Sequence, residues 1–209
     1  TEIIPLFREQ YPGITIEITE TSLPAFKKAL TEGTLDVGLA SDVSTVPYGS
    51  LVQVLREEEI FLAISMFHPY ALTHPSGTPI TAEEVKANFA GDSLLLSKKG
   101  ASLRMIGDQF FDSCGFEPVA VCETNNISAT RSMVAQNAGV AFISESCSVN
   151  RNHIAYYPLS PAMKRLNLVV HQKDWVLNEP EQAFMDHILN YFKQNTEHPY
   201  LAEKYSISF

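Results

Sequence analysis

The stretch LLLSKKGASLRMIGDQFFDSCGFEPVAVCETNNISATRSMVAQNAGVAFI, residues 94–143, decides the fold class. It opens on Leu94–Leu96, a short apolar run that predicts a buried strand, followed by the polar loop Ser97-Lys98-Lys99-Gly100. Leu103, Ile106, Phe110, Phe111 and Cys114 then recur at helical spacing, and Gly115 stands just past them as a stop. Val119–Val121 predicts a second strand and Glu123-Thr124-Asn125-Asn126 a second polar loop. A helix from Ser128 to Asn137 is closed by Gly139, and Val140–Ile143 is a further strand. Strand, loop and helix in alternation are the rhythm of a parallel sheet with helical crossovers.

Upstream, the same alternation is legible. Ile3, Ile4, Phe7 and Tyr11 share a helical face in a segment that Thr1 can cap and Pro12–Gly13 ends. Ile14, Ile16 and Ile18 alternate with Thr15, Glu17 and Thr19, which predicts a half-buried strand. Thr21–Ser22 caps a second helix with Pro24 in its first turn, an apolar stripe of Phe26, Ala29 and Leu30, and Gly33 as its stop. Leu35–Ala40 reads as a buried strand. Two strands follow, around Leu51–Arg56 and Glu59–Ser65, with Glu57-Glu58-Glu59 as a solvated hairpin. His68–Pro69 and the Pro75, Gly77, Pro79 cluster break the chain, and Thr81-Ala82-Glu83-Glu84 is a capping box. Downstream, Leu166–Val170 is a strand whose alternation is too weak to assign a face. A last helix begins near Pro180–Glu181 with Phe184, Ile188, Leu189 and Phe192 on one stripe; Trp175 near it is expected to pack. Two α/β blocks separated by a Pro/Gly-rich stretch predict two small lobes.

Composition narrows the function. The 209 residues, 45% hydrophobic, suffice for a sizeable core, and the net charge is −9. A surface that grips DNA phosphates needs clustered cations, whereas the 15 Lys and Arg here are scattered, so this chain alone is a poor nucleic-acid binder. Cys114, Cys122 and Cys147 are odd in number and lack CxxC spacing. They read as small buried hydrophobes in a reducing compartment. No apolar run approaches the roughly 20 residues of a membrane span and no export leader opens the sequence, so a cytoplasmic protein without membrane contact is expected. His68, His74, His153, His171, His187 and His198 show no paired ligand spacing; turn or surface roles are expected, with no metal and no cofactor. GxSxG, P-loop, GxGxxG and SxxK motifs are absent, which favours binding over catalysis; an enzyme assembled from distant positions is the rival class.

Open α/β sheets bind ligands beyond the C-terminal ends of their strands, where loops enter helix N-termini. That rule selects Thr21 and Ser22, then Ser97, Lys98, Gly100 and Ser102, then Thr124, Asn125 and Asn126 as candidate binding residues. Turn and cap chemistry alone would explain many of them, and a loop lysine is ordinarily solvated. If Lys98 points into a cleft, it suits a carboxylate or phosphate.

The segments Leu6-Phe7-Arg8-Glu9-Gln10-Tyr11-Pro12-Gly13 and Leu30-Thr31-Glu32-Gly33-Thr34-Leu35-Asp36-Val37-Gly38-Leu39 resemble the opening of a LysR-type effector domain. Leu62-Ala63-Ile64-Ser65 with His68-Pro69 resembles the family's exit from its first lobe. Met133-Val134-Ala135-Gln136-Asn137-Ala138-Gly139-Val140-Ala141-Phe142-Ile143 resembles its helix-to-strand turn, with Ser144 where proline is usual. Each motif is weak alone; their order over nearly the whole chain is fairly specific. The resemblance implies the regulatory half of a bacterial transcription regulator with the type 2 periplasmic-binding-protein fold: two Rossmann-like α/β lobes joined by two crossover strands, with a ligand cleft between them. Lobe I would comprise residues 1–66 and 166–209, and lobe II residues 67–165. The effector would be a small molecule, a carboxylate or amino-acid-like anion. The helix-turn-helix that binds DNA, and the strand that precedes the first helix in the family, would lie outside this sequence. The resemblance also implies a homodimer, tetrameric at full length, with Ile3, Ile4 and Phe7 contributing to the interface. A transporter's solute-binding protein of the same fold is the alternative.

Overall fold

The computed structural model describes residues 3–45, 51–115, 117–171 and 176–194. In chain order the elements begin with α1 (Ile3–Gln10), α2 (Leu23–Glu32), β1 (Gly38–Asp42), β2 (Leu51–Ser65), α3 (Pro69–Thr73), β3 (Ile80–Thr81) and α4 (Ala82–Phe89). They continue with β4 (Leu94–Leu96), α5 (Ser102–Cys114), β5 (Ala120–Glu123), α6 (Ile127–Ala135) and β6 (Val140–Ser144). A 3-10 turn (Glu145–Cys147), β7 (Ile154–Ser160), β8 (Lys164–His171) and α7 (Glu179–Gln194) complete them. The chain divides into two compact units, residues 1–56 with 166–209 and residues 57–165; it crosses from one to the other within β2 and again within β8.

In the first unit β1 runs antiparallel to β8, Gly38 opposite Val170 and Asp42 opposite Leu166. Leu168 and Val170 face Phe26 and Leu30 of α2, while Val169 faces Met185 and Ile188 of α7. A strand covered on both faces reads as a continuous apolar run, which is why Leu166–Val170 shows no alternation. The helix signals hold: Ser22 caps α2, and Gly33 closes it at φ 67°, a left-handed position that glycine adopts without a Cβ clash.

The second unit is a mixed sheet. β2 lies antiparallel between β6 and β7, β4 lies parallel between β6 and β5, and β3 adds parallel to β7. Ile60, Leu62 and Ile64 join one core with Phe89, Ile106, Phe110 and Phe111; Phe61 and Ala63 join another with Val134 and Tyr156. Thr81 and Glu84 exchange both capping-box hydrogen bonds at the start of α4. Gly139 is required by proximity, since a Cβ there would lie 2.5 Å from the Ser93 carbonyl oxygen.

Several expectations need correction. Residues 14–18 form no strand, and Ile18 is 72% exposed. Alternation supplies faces, but a strand exists only through a ladder partner, and among the described residues this segment has none. Glu57–Glu59 is no hairpin: β2 passes straight through it, with Glu57 exposed and Glu58 buried by simple alternation. Residues 57–66 belong with the second unit, because their ladder partners are β6 and β7. β7 was not anticipated; Pro158 within it and burial of both faces conceal its period. Phe7 is fully buried inside its own unit, edge-on to Phe184 with ring centroids 5.0 Å apart, so it is core and not available to a partner; Ile3 and Ile4 are half-buried. His187 is half-buried, its ring packed edge-on against Phe7. Cys114 is buried, whereas Cys122 and Cys147 are only partly so. Trp175 and His198 lie outside the described residues.

Candidate functional site

A cavity of about 250 Å³ opens in the second unit where β4, β5 and β6 end. Ser97 and Thr124 are the first residues beyond β4 and β5, Ser144 ends β6, Ala101 is the N-cap of α5, and Ser102 and Leu103 begin that helix. Leu95, Ile127 and Phe142 give it apolar walls, and Arg165 and Cys147 complete the lining. A larger hollow of about 460 Å³, with His68 and Asp92 in its wall, lies where β4 and β6 begin. Strand carboxyl ends, where loops turn into helix N-termini, are the ligand side of such sheets, so the smaller cavity is the candidate.

Hydrogen bonds brace its rim. The Asn125 side-chain oxygen accepts from the Lys98 backbone N–H at 2.9 Å, tying the β4 loop to the β5 loop. The Arg104 guanidinium donates to the Ser97 carbonyl at 3.2 Å and to Glu123 at 2.7 Å, and its Nε donates to Asp108 at 2.8 Å. Asn126 caps α6 by accepting from the Ala129 N–H, and Thr124 accepts from the Asn126 N–H.

Of the nine residues expected from sequence, Ser97, Ser102, Thr124 and Asn125 line this one cavity. Lys98, Gly100 and Asn126 do not line it; they shape the loops, Gly100 through a left-handed turn at φ 87°. Thr21 and Ser22 belong to the other unit, where Ser22 serves as the α2 cap.

Sequence reasoning missed Arg165, Ser144 and Glu58. Arg165 Nε donates to Glu58 at 2.7 Å, Arg165 Nη2 donates to Ser144 Oγ at 2.8 Å, and the second Glu58 oxygen accepts from the Ser146 N–H at 3.1 Å. Burial alone would raise the Glu58 carboxyl; the adjacent guanidinium and the hydrogen bonds from Ser146 and Arg165 outweigh it and hold the group below the usual carboxylate range. Next to this pair, Lys164 donates to Glu57 at 2.6 Å on the exposed side. The available signal was two acidic neighbours in one strand matched by two basic neighbours in another. No cluster of ligating side chains able to hold a metal occurs among the described residues, nor any helix long and apolar enough to cross a membrane.

The family model for the LysR substrate binding domain matches residues 1–193. The chain belongs to this family. Among curated relatives it is 24% identical, over 92% of its length, to the uncharacterized HTH-type transcriptional regulator YybE of Bacillus subtilis (strain 168). It spans 63% of that protein's length. Among solved structures, the regulatory domain of CcmR from Synechocystis PCC6803, in complex with 2-PG, superposes with a TM-score of 0.76 at 18% identity, covering 92% of this chain and 90% of that one. The effector binding domain of QuiR in complex with shikimate gives 0.73 at 17% identity, covering the same 92% and 90%. At these identities the structures establish a shared two-lobed α/β fold.

Proposed function

We propose that this chain is the effector-sensing part of a LysR-type transcription regulator, and that a small polar molecule occupies the cavity lined by Ser97, Ser102, Thr124 and Arg165. The observation that carries the reading is the position of that cavity. Its polar rim sits at the carboxyl ends of three strands, where α5 and α6 begin, in a chain whose structural neighbours were solved with shikimate and 2-PG. DNA binding would belong to the part of the regulator outside the matched 63%, in a cytoplasmic protein, with effector binding altering the geometry of its homodimer or tetramer. Replacing Thr124 by Leu should fill the cavity mouth and abolish ligand-induced melting shifts while leaving the unfolding midpoint within a few degrees of wild type. A ligand that stabilises both proteins equally would place binding elsewhere. Association through α1 would rest on Ile3, Ile4 and the exposed Leu6, since Phe7 is committed to the core. Leu6→Glu should therefore lower the mass measured by light scattering; an unchanged mass rules that interface out.

A further inference from the structure

The larger hollow of the second unit, about 460 Å³, lies at the other end of the same strands. Ser93 and Gly139 stand just before β4 and β6, whose far ends reach the smaller cavity, and the two linings share no residue. The volume falls within the roughly 300–1,000 Å³ of ordinary small-molecule sites.

Asp92 is the one carboxylate among the described residues of this wall, and no Lys or Arg joins it there. Its neighbour His68 supplies a hydrogen bond without a charge. His68 Nδ1 caps α3 by accepting from the Tyr70 backbone N–H at 3.1 Å, which leaves the ring proton on Nε2, 3.2 Å from Asp92 Oδ2. The imidazole is stacked on Phe89 with centroids 5.0 Å apart, and its side chain is 12% exposed, so the Nε2–H is held in that direction. Asp92 Oδ1 has no hydrogen-bond partner among the described residues.

The other polar side chains of the wall can accept as well. Asn88 commits its amide N–H to the Glu84 carbonyl at 2.8 Å, which leaves Oδ1 over. The Ser93 hydroxyl and the Asn137 amide have no partner among the described residues. Their backbones are fixed: the Val140 N–H donates to the Ser93 carbonyl at 2.9 Å, and Asn137 holds a left-handed turn at φ 58°. A carboxylate without a counter-charge, beside amide and hydroxyl oxygens, selects a group that is positive and only donates. An ammonium has three N–H donors and no acceptor. Pro69, Tyr70, Ala138 and Val140 give a short carbon chain apolar surface to lie on. A bare metal ion is a poorer match, since no cluster of three ligating side chains occurs among the described residues.

We infer that this hollow is a second ligand site, which takes a small primary ammonium compound on Asp92 while His68 orients the carboxylate. The inference stands apart from the reading of the smaller cavity as the effector site. Asp92 is 31% exposed at its side chain, so solvent screens the charge pair and the dissociation constant is on the order of millimolar.

The test is an amide-resolved NMR titration of the whole chain with methylammonium, ethanolamine and putrescine at constant ionic strength. Neutral ethylene glycol, potassium chloride and magnesium chloride form separate arms. At least one amine should shift the Ser93, Gly139 and Val140 amides to saturation, and the glycol should not. Asp92→Asn keeps an oxygen to accept from His68 and should weaken the amine about 5- to 20-fold. Asn137→Gly keeps the left-handed turn, removes the amide and should weaken it about 2- to 5-fold. The same spectra report whether each variant is folded. Equal binding of glycol and amine, unchanged amine affinity in Asp92→Asn, or shifts confined to Ser97 and Thr124 overturns the inference. Saturation of the same amides by potassium or magnesium, with no amine bound, overturns the ammonium assignment. If no amine produces a saturable shift, the hollow is not a site.

Discussion

Among the described residues, each unit buries one carboxylate against a cation, and the two pairs are put to different use. In the unit of residues 1–56 and 166–209, Asp42 at the end of β1 accepts from the Val43 N–H at 2.7 Å and from Lys27 of α2 at 3.1 Å. Lys27 is 31% exposed and clips a helix to a strand. In the unit of residues 57–165, Glu58 holds Arg165, and that guanidinium continues into a cavity. The helix starts differ in the same way. Ser22 closes α2 with its own side chain, while α5 begins on Ala101 with no such closure. Polar groups whose partners are local hold the fold; those left with donors to spare are where an outside molecule can bind.

The sharpest way to break this comparison is to remove the carboxylates. Glu58→Ala leaves a mostly buried guanidinium uncompensated and should cost about 3–5 kcal/mol in urea unfolding. Asp42→Ala should cost less, about 1–3 kcal/mol, because Lys27 can turn to water. Equal losses would mean that the two pairs are alike.

Acid titration gives a smaller effect. The Glu58 carboxyl is depressed in the folded chain, so its contribution is complete above the unfolded value of about 4.3 and is lost as pH falls through the lower folded value. Stability should decline below about pH 4, and Glu58→Gln should flatten that limb. An identical acid limb in wild type and variant would remove Glu58 as its source.

The caps supply the smallest and most discriminating change. Ser22→Ala should cost about 0.5–1 kcal/mol, at the low end because the Ser22 bond to the Ala25 N–H is long at 3.5 Å. Ala101→Asp should instead stabilise α5 by about 0.5–2 kcal/mol and weaken ligand binding, since the new side chain stands in the cavity wall and occupies the first-turn N–H groups. Stabilisation without loss of binding would separate the helix start from the ligand.

The legible and illegible parts of the sequence divide along a physical line. The Thr81–Glu84 box, the Ser22 cap and the Gly33 and Gly115 stops are legible in the sequence, because each acts on neighbours within a few residues. Ser97, Ser102, Thr124 and Asn125 could be nominated because strand-exit loops have a local signature. The segment of residues 14–18 has as clear an alternation as any in the chain yet forms no strand. β7 forms one with none. Alternation reports burial of faces, while strand formation depends on a ladder partner that may come from anywhere in the chain.

By itself, then, the sequence determined the longer helices and the strand–loop–helix rhythm that names the α/β class, since propensity, capping and periodicity act over one or two turns. The short helix α3 forms at Pro69–Thr73, where the sequence reads as a chain break. Only the tertiary structure decided that Glu58 meets Arg165, 107 residues away, and that Arg165 reaches the cavity wall beside Ser144. An ion pair between distant strands is created by register, and register is set only when both strands have found the same sheet.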